Sequence, residues 1–183
     1  MSEKPAAARF GSLAPEFNLP GIDGKRHSLA SCRGPKGLLV MFICNHCPYV
    51  KAVRDRLVRD CGELAGYGIG SVAIMSNDPS DYPEDSFENM KRIAAEFRFP
   101  FPYLLDETQD VAKAYGAVCT PDFFGYDAAL GLQYRGRLDA SGREAAPRAR
   151  RELFDAMVEI ARTGRGPADQ SASIGCSIKW KKG

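Results

Sequence analysis

The sequence lacks the features by which proteins cross membranes or bind nucleic acids. No apolar run approaches the roughly 20 residues that a helix needs to span a bilayer. The first ten residues, MSEKPAAARF, lack the apolar core of a secretory signal. The net charge is only +2, with acidic and basic residues interspersed, so we expect no nucleic-acid and no membrane partner. These absences favour a cytoplasmic location.

The chain is also poor in the residues that build a metal site. It has only two histidines, His27 and His46, and no second Cys-x-x-Cys accompanies the pair Cys44 and Cys47. A structural zinc site usually needs four protein ligands. We therefore expect no metal and no other cofactor. A metal-binding or chaperone module that uses Cys44, His46 and Cys47 stays an alternative.

The size and cysteine content favour one domain with free thiols. The 183 residues are 44% apolar, which allows a full core without disulfide staples. Six cysteines in such a chain indicate free thiols and one working pair. Cys61 falls on the apolar face of a predicted helix and Cys32 in a loop, so both favour a structural role. For Cys119 and Cys176, a structural and a redox role both stay open.

The hydrophobic pattern predicts strands that alternate with helices. Continuous apolar runs predict buried strands at 37–43 and 69–76, and a short strand follows at 102–106. Apolar residues at helical spacing predict helices at 48–65, 82–97 and 148–164, and Thr108 is expected to cap a brief helix before Gly116. Hairpins are predicted at 13–29 and around the turn between DFFGYD and LQYRGR. This order indicates an α/β fold, a mixed sheet with helices on both faces.

The segment FICNHCPYVK joins the first buried strand to its helix. Proline is favoured at the first position of a helix, so Pro48 places Cys47 at the helix N-cap and Cys44 at the strand end. The helix dipole and the free backbone N–H groups stabilise a thiolate at such a position. A protonated His46 would act in the same direction. We therefore expect Cys47 to be the nucleophile of a redox pair, although Cys44 also suits a buried structural role.

With these residues in view, the chain resembles the redoxin branch of the thioredoxin superfamily, related to alkyl hydroperoxide reductase and thiol-specific antioxidant (AhpC/TSA) proteins. The segments APEFNLPGIDGK, GLLVMFICNHCPYVK and YGAVCTPDFFGYD carry the resemblance. Within this branch, Asn-His-Cys-Pro-Tyr-Val and a late Gly-Cys-Ser-Ile-Lys-Trp are similar to one subgroup. The resemblance implies a thioredoxin-like fold with a central mixed β-sheet flanked by helices and an N-terminal β-hairpin extension. It implies a domain over 11–163, after a flexible N-terminus (1–10) and before an irregular tail (164–183).

The resemblance also assigns roles to the segment CTPDFF. The family's cis-proline corresponds to Pro121, which in relatives faces the active-site cysteine. The residue before it, here Thr120, offers backbone hydrogen bonds to a substrate strand. We therefore expect Cys119, Thr120 and Pro121 to form the substrate-binding wall opposite Cys47.

The sequence departs from the thioredoxin pattern at two positions. Cys47 stands in the place of the family's first, nucleophilic cysteine, and Val50 replaces the second. Cys44 is then the leading resolving cysteine, with Cys119 and Cys176 as alternatives. Met41 stands where many thioredoxins bury an acid that helps to move protons.

A peroxidase is the first rival. Peroxiredoxins have a proline and a threonine or serine at set positions before the peroxidatic cysteine, and Val40 and Cys44 occupy these positions here. Arg135 or Arg137 could replace the family's arginine. Because the hydroxyl that binds peroxide is missing, we expect a thiol–disulfide oxidoreductase. Its partners are protein or small-molecule disulfides and thiols, and peroxides are the alternative substrate.

Overall fold

The apolar run after residue 36 forms the central strand of the protein, as the sequence predicts. The structure, a computed structural model, describes residues 2–3 and 5–183. The strands are β1 (Ser2–Glu3), β2 (Asn18–Pro20), β3 (Arg26–Ser28), β4 (Gly37–Phe42), β5 (Ile69–Met75), β6 (Tyr103–Leu105), β7 (Cys119–Thr120), β8 (Asp122–Tyr126), β9 (Leu132–Gly136) and β10 (Gly175–Ser177). The helices are α1 (Leu29–Cys32), α2 (Pro48–Ala65), α3 (Phe87–Glu96), α4 (Asp110–Tyr115) and α5 (Glu152–Thr163), with a 3₁₀ turn at Pro83–Asp85.

A mixed five-stranded sheet lies at the centre, in the order β6-β5-β4-β8-β9. Strand β4 is parallel to β5 and antiparallel to β8. Alternate residues of β4 enter two separate cores: Leu39 and Met41 pack with α2, α3 and α5, whereas Leu38 and Val40 pack with α1 and α4. Helices therefore cover both faces, and the predicted α/β fold and N-terminal hairpin (β2 with β3) are confirmed.

Three helix starts differ from the sequence-based expectation, and one of them is that of α5, which is expected from 148 and begins at Glu152. The helix expected at 82–97 is a 3₁₀ turn followed by α3, because extended Ser86 interrupts the helix and caps α3 through the N–H of Asn89. The hydroxyl of Thr108 accepts the N–H of Asp110, the first residue of α4, at 3.3 Å, although Thr108 lies one residue before the N-cap. The N-cap is Gln109, and the carboxylate of Asp106 accepts the N–H groups of residues 111 and 112.

The C-terminal segment contains a strand that was not predicted. Strand β10 lies in a second sheet, in the order β1-β10-β7. The expectation of an irregular tail is therefore wrong for Gly175–Ser177. A strand of three residues is too short to show a periodic pattern in the sequence, but it can pair with a free strand edge. The N-terminal residues 1–10 are expected to be flexible. Residues 1 and 4 of this segment lie outside the described residues, and the expected flexibility stays a prediction.

Among the described residues, no helix combines the length and the apolar character that a membrane span requires.

Packing of α2 against the sheet holds the start of this helix in place. Leu57, in the middle of α2, is fully buried in the core. We expect Leu57→Ala to lower the free energy of unfolding by about 2–5 kcal/mol, because it removes buried methyl groups and leaves a cavity. Chemical denaturation would measure the change. Glu88→Ala, at a side chain that is 84% exposed, is the control and should cost less than about 0.5 kcal/mol. An equal loss in both variants would contradict the packing argument.

Candidate active site

Cys47 lies at the beginning of α2, as the sequence predicts. It is the N-cap residue with extended backbone angles, and Pro48 occupies the first helical position. Its carbonyl oxygen accepts hydrogen bonds from the N–H groups of Val50 and Lys51. Cys44 follows the end of β4, and both cysteines are buried. The strand-to-helix junction therefore brings the two thiols into one buried pocket.

The segment before β8 forms the wall opposite these cysteines. The Thr120–Pro121 peptide bond is cis, as the family resemblance implies. Thr120 contacts both cysteines: its Oγ1 lies 3.3 Å from Cys44 Sγ, and its carbonyl oxygen accepts a hydrogen bond from Cys47 Sγ at 3.3 Å. Cys119 is buried in β7, with its Sγ 3.9 Å from the carbonyl oxygen of Pro121.

Neighbouring groups set the pKa of Cys47, although its side chain makes no capping hydrogen bond at the helix N-terminus. The thiol of Cys44 has the largest effect on the pKa of Cys47 and lowers it. Burial, the second largest effect, raises this pKa. The thiol of Cys176 and the backbone N–H groups of Val50 and Cys176 have smaller effects, and all of them lower it. Together they lower the pKa of Cys47 to about 5. The carbonyl oxygen of Thr120 favours the protonated thiol, but this single acceptor is outweighed by the groups that lower the pKa. At neutral pH, Cys47 is therefore a thiolate.

The two neighbouring thiols shift in the opposite direction. Burial raises the pKa of Cys44 well above its ordinary value, and the hydrogen bond to Cys47 and the charge of Asp85 raise it further. Burial, together with the hydrogen bond to Cys47 and its charge, raises the pKa of Cys176 to about 11. The cluster thus holds one thiolate and two thiols near neutral pH.

His46 binds a buried carboxylate that the sequence-based reasoning missed. Its Nδ1 lies 2.5 Å from Asp85 Oδ2, and its ring stacks on Tyr82 at 4.5 Å between centroids. Asp85 also accepts hydrogen bonds from the backbone N–H groups of Asn45 and His46 and from the side chain of Asn77. Burial opposes ionisation of Asp85, but the hydrogen bonds outweigh it and lower its pKa. No local motif links these residues, since they meet only where β4 and β5 end side by side.

The group that could hold a metal differs from the expected ligand set. Ligand atoms of Cys44, His46 and Asp85 lie within 4.8 Å of one another, with Asp85 in the place expected for Cys47. The sulfur of Cys47 instead lies against Thr120. The carboxylate of Asp85 is already surrounded by donors, and burial keeps Cys44 protonated. Both observations disfavour a bound metal, since a metal ligand must be deprotonated and available.

Arg135 and Arg137 are the arginines proposed for a peroxidase. The contacts of these two side chains do not direct them to Cys47. Arg135 forms an ion pair with Asp122 at 3.1 Å, and Arg137 forms one with Glu152 at 3.0 Å. Two cations that sequence reasoning missed, Lys179 and the exposed Arg143, act on the thiol of Cys176 by their charge. A hydrogen bond to Tyr49 raises the pKa of Arg143, and the charges of Cys176 and Cys47 contribute.

We expect the ionisation of Cys47 to depend on its neighbours. Thiolate absorbance should show a transition near pH 5 that Cys47→Ser removes. Cys44→Ala should move the transition upward, toward the ordinary cysteine value of about 8.5, because it removes the largest favourable hydrogen bond. Cys32→Ser, at a thiol in another part of the core, is the control and should leave the transition in place. A low-pKa transition that persists in Cys47→Ser would contradict the assignment.

A metal-binding role makes a separate prediction. Protein purified without oxygen should contain less than about 0.1 equivalent of zinc, because the ligand group offers three atoms and a four-ligand site needs more. Elemental analysis would measure the content. One equivalent of zinc that is lost in Asp85→Asn would contradict this expectation and favour the metal-binding module.

The chain is similar to known proteins over most of its length. Residues 10–139 match the model of the AhpC/TSA family. The chain is 28% identical to the thiol-disulfide oxidoreductase ResA of Geobacillus thermodenitrificans (strain NG80-2) over 133 residues, which cover 69% of this chain and 67% of that protein. It is also 28% identical to the peroxiredoxin Bcp of Escherichia coli (strain K12) over 144 residues, which cover 74% and 81%.

Among solved structures, an uncharacterized conserved protein from Geobacillus kaustophilus has a TM-score of 0.94 and 45% sequence identity, covering 100% of this chain and 98% of its own. The similarity to this structure extends over the C-terminal segment as well as the central sheet. Because the family model covers most of the length and includes both cysteines of the pocket and the cis-proline, the chain belongs to the AhpC/TSA family.

Proposed function

We propose that the protein is a thiol–disulfide oxidoreductase in which Cys47 is the nucleophile and Cys44 is the resolving thiol. One observation carries the proposal: two buried thiols lie together at a helix N-terminus, where Cys47 is the N-cap residue and both thiols contact Thr120. Thiol–disulfide exchange needs a thiolate, a second thiol within reach and access for the substrate. The relative named as a thiol-disulfide oxidoreductase supports the same activity.

The exchange takes place in two steps. The Cys47 thiolate attacks one sulfur of a substrate disulfide, forms a mixed disulfide and releases the other sulfur as a thiolate, which takes up a proton. Cys44 then loses its proton and attacks the sulfur of Cys47, which releases the second substrate thiol and leaves a Cys44–Cys47 disulfide. The substrate gains two electrons and two protons: both electrons and one proton, that of Cys44, come from the protein, and the other proton comes from solvent because Cys47 is already ionised.

The high pKa of Cys44 suits this order of events. Two of its causes are the hydrogen bond to Cys47 and the charge of Cys47, and both disappear once Cys47 is in a mixed disulfide. Cys44 thus becomes easier to ionise at the step that needs it. Met41, on β4, supplies no acid for this proton, and its sulfur lies 3.8 Å from Cys61.

The other proposed roles concern the surroundings of the pair. We assign contacts with the substrate to Cys119, Thr120 and Pro121, because Thr120 already contacts both cysteines. His46 is proposed to tune Cys47 through its bond to Asp85, and His46→Gln in the thiolate titration would test this. The proposed compartment is the cytoplasm, where thiols stay reduced.

A thiol-dependent peroxidase is the second candidate, because one relative is named as a peroxiredoxin. A peroxidase stabilises the charge that develops across the O–O bond with fixed donors. At this site a thiol, a weak donor, takes the threonine position, and Arg135 is engaged with Asp122. These contacts favour disulfide exchange.

We expect the reduced protein to react faster with a small disulfide than with hydrogen peroxide. Loss of one fixed donor typically slows such a reaction by about 10²–10³, whereas disulfide exchange does not use that donor. Stopped-flow rate constants for both oxidants would test this, with Cys47→Ser as the blank and Cys32→Ser as the matched control. A peroxide rate constant far above the disulfide one, lost in Cys47→Ser, would assign the protein to the peroxidases.

A further inference from the structure

The C-terminal strand β10 lies against the active-site wall. It pairs antiparallel with β7, with Cys176 opposite Thr120 and Ser177 opposite Cys119. The next residue continues the contact, since the N–H of Ile178 donates to the carbonyl oxygen of Val118 at 2.9 Å. The segment that carries the cis-proline therefore has a strand partner from the same chain.

The approach of the two strands is unusually close at one residue. A Cβ atom added to Gly175 would lie 2.0 Å from the carbonyl oxygen of Thr120. This contact involves backbone atoms, so it cannot be relieved by rotation of a side chain. A glycine at position 175 is therefore needed for β10 to keep its register.

Side-chain amides hold the chain beyond β10. Asn77 accepts the N–H of Lys179 at 3.0 Å, and Gln109 donates to the carbonyl oxygen of Lys179 at 2.9 Å and accepts the N–H of Lys181 at 2.9 Å. Ile178 is buried in the core. Side-chain hydrogen bonds and one buried residue therefore hold this segment in a defined position on the protein.

Strand β10 also brings a third thiol to the nucleophile. Cys176 lies opposite Thr120, whose carbonyl oxygen is 3.3 Å from the sulfur of Cys47, and it packs against the core cluster that contains Cys47. Cys176 is half-buried, whereas Cys44 is almost fully buried beneath the same sulfur. An extended peptide that added itself to the edge of β7 with a cysteine at this register would place its sulfur in the same position.

We infer that β10 is an internal substrate strand: Cys176 takes the position of a substrate cysteine, closes a disulfide with Cys47, and keeps an extended protein chain away from β7 until β10 is displaced. This inference rests on the proposed function, because it assumes that Cys47 attacks disulfides. It adds a third reactive residue and a class of competitor, extended peptides that contain cysteine.

A small-molecule disulfide is the oxidant that closes the Cys47–Cys176 disulfide. The Cys47 thiolate attacks it, forms a mixed disulfide and releases one small thiol. The Cys176 thiol then loses its proton and attacks the sulfur of Cys47, which forms the Cys47–Cys176 disulfide and releases the second small thiol, now carrying that proton. Cys44 can attack Cys47 in turn, which forms the Cys44–Cys47 disulfide and returns Cys176 to a thiol.

The first test traps the internal disulfide. Cys44→Ser protein is treated with one equivalent of glutathione disulfide, quenched by alkylation, and mapped by mass spectrometry. We expect a Cys47–Cys176 disulfide as the main product, and glutathione retained on Cys47 when Cys176→Ser is added. The matched control, Cys44→Ser with Cys32→Ser, should still close the internal disulfide.

Two results of this test have distinct meanings. If glutathione stays on Cys47 in the Cys44→Ser protein just as it does in the variant that also lacks Cys176, the inference is overturned. The proposed function stays intact in that case. Absence of glutathione from Cys47 in every variant would overturn the proposed function, and the inference with it.

The second test loosens β10. Gly175→Ala introduces a clash with Thr120 that should move β10 off β7. We expect the rate of reduction of a protein disulfide such as insulin, divided by the rate with a small disulfide, to rise by at least about tenfold. Gly142→Ala, at a glycine with open space around it, is the matched control. Circular dichroism would verify folding, and Gln109→Ala, which removes two bonds to the tail, is the second variant. Equal rate ratios in both folded tail variants and wild type would overturn the inference.

Discussion

The ionisation of one buried sulfur by the groups around it is the constraint on which the site depends. Burial alone would keep the thiol of Cys47 protonated, so the charge exists only because the surrounding elements supply donors. Strand β4 brings Cys44, the first turn of α2 brings the N–H of Val50, and β10 brings Cys176. Each element must hold its position closely, since hydrogen bonds to sulfur weaken with distance and angle.

Sharing one negative charge among three thiols also determines how protons move. Burial keeps Cys44 and Cys176 protonated, and the charge of the Cys47 thiolate adds to this effect. When Cys47 enters a disulfide, the effect of that charge is removed from both neighbours at once. In the exchange that we propose, this loss of charge couples the two steps, and Met41 supplies no acid for the proton.

A second polar cluster connects the active-site loop to the tail. The carboxylate of Asp85 holds the backbone of Asn45 and His46 between the two cysteines. Asn77, at the end of β5, donates to Asp85 and accepts the N–H of Lys179. One amide thus joins the loop that carries the cysteine pair to the segment that carries the third thiol. A change in one of these segments can affect the other through bonds that lie outside the reacting atoms.

The sequence by itself determined the parts that depend on local order. Continuous apolar residues specify β4, helical spacing specifies α2, and Pro48 places Cys47 at the cap, since proline suits only the first turn. The cis bond before Pro121 followed from the family resemblance. Only the tertiary structure decided that Asp85 lies beneath His46 and that Cys176 reaches Cys47. These contacts join segments far apart in the chain, and a three-residue strand has no periodicity of its own; its place is decided by the strand edge that the folded sheet leaves open.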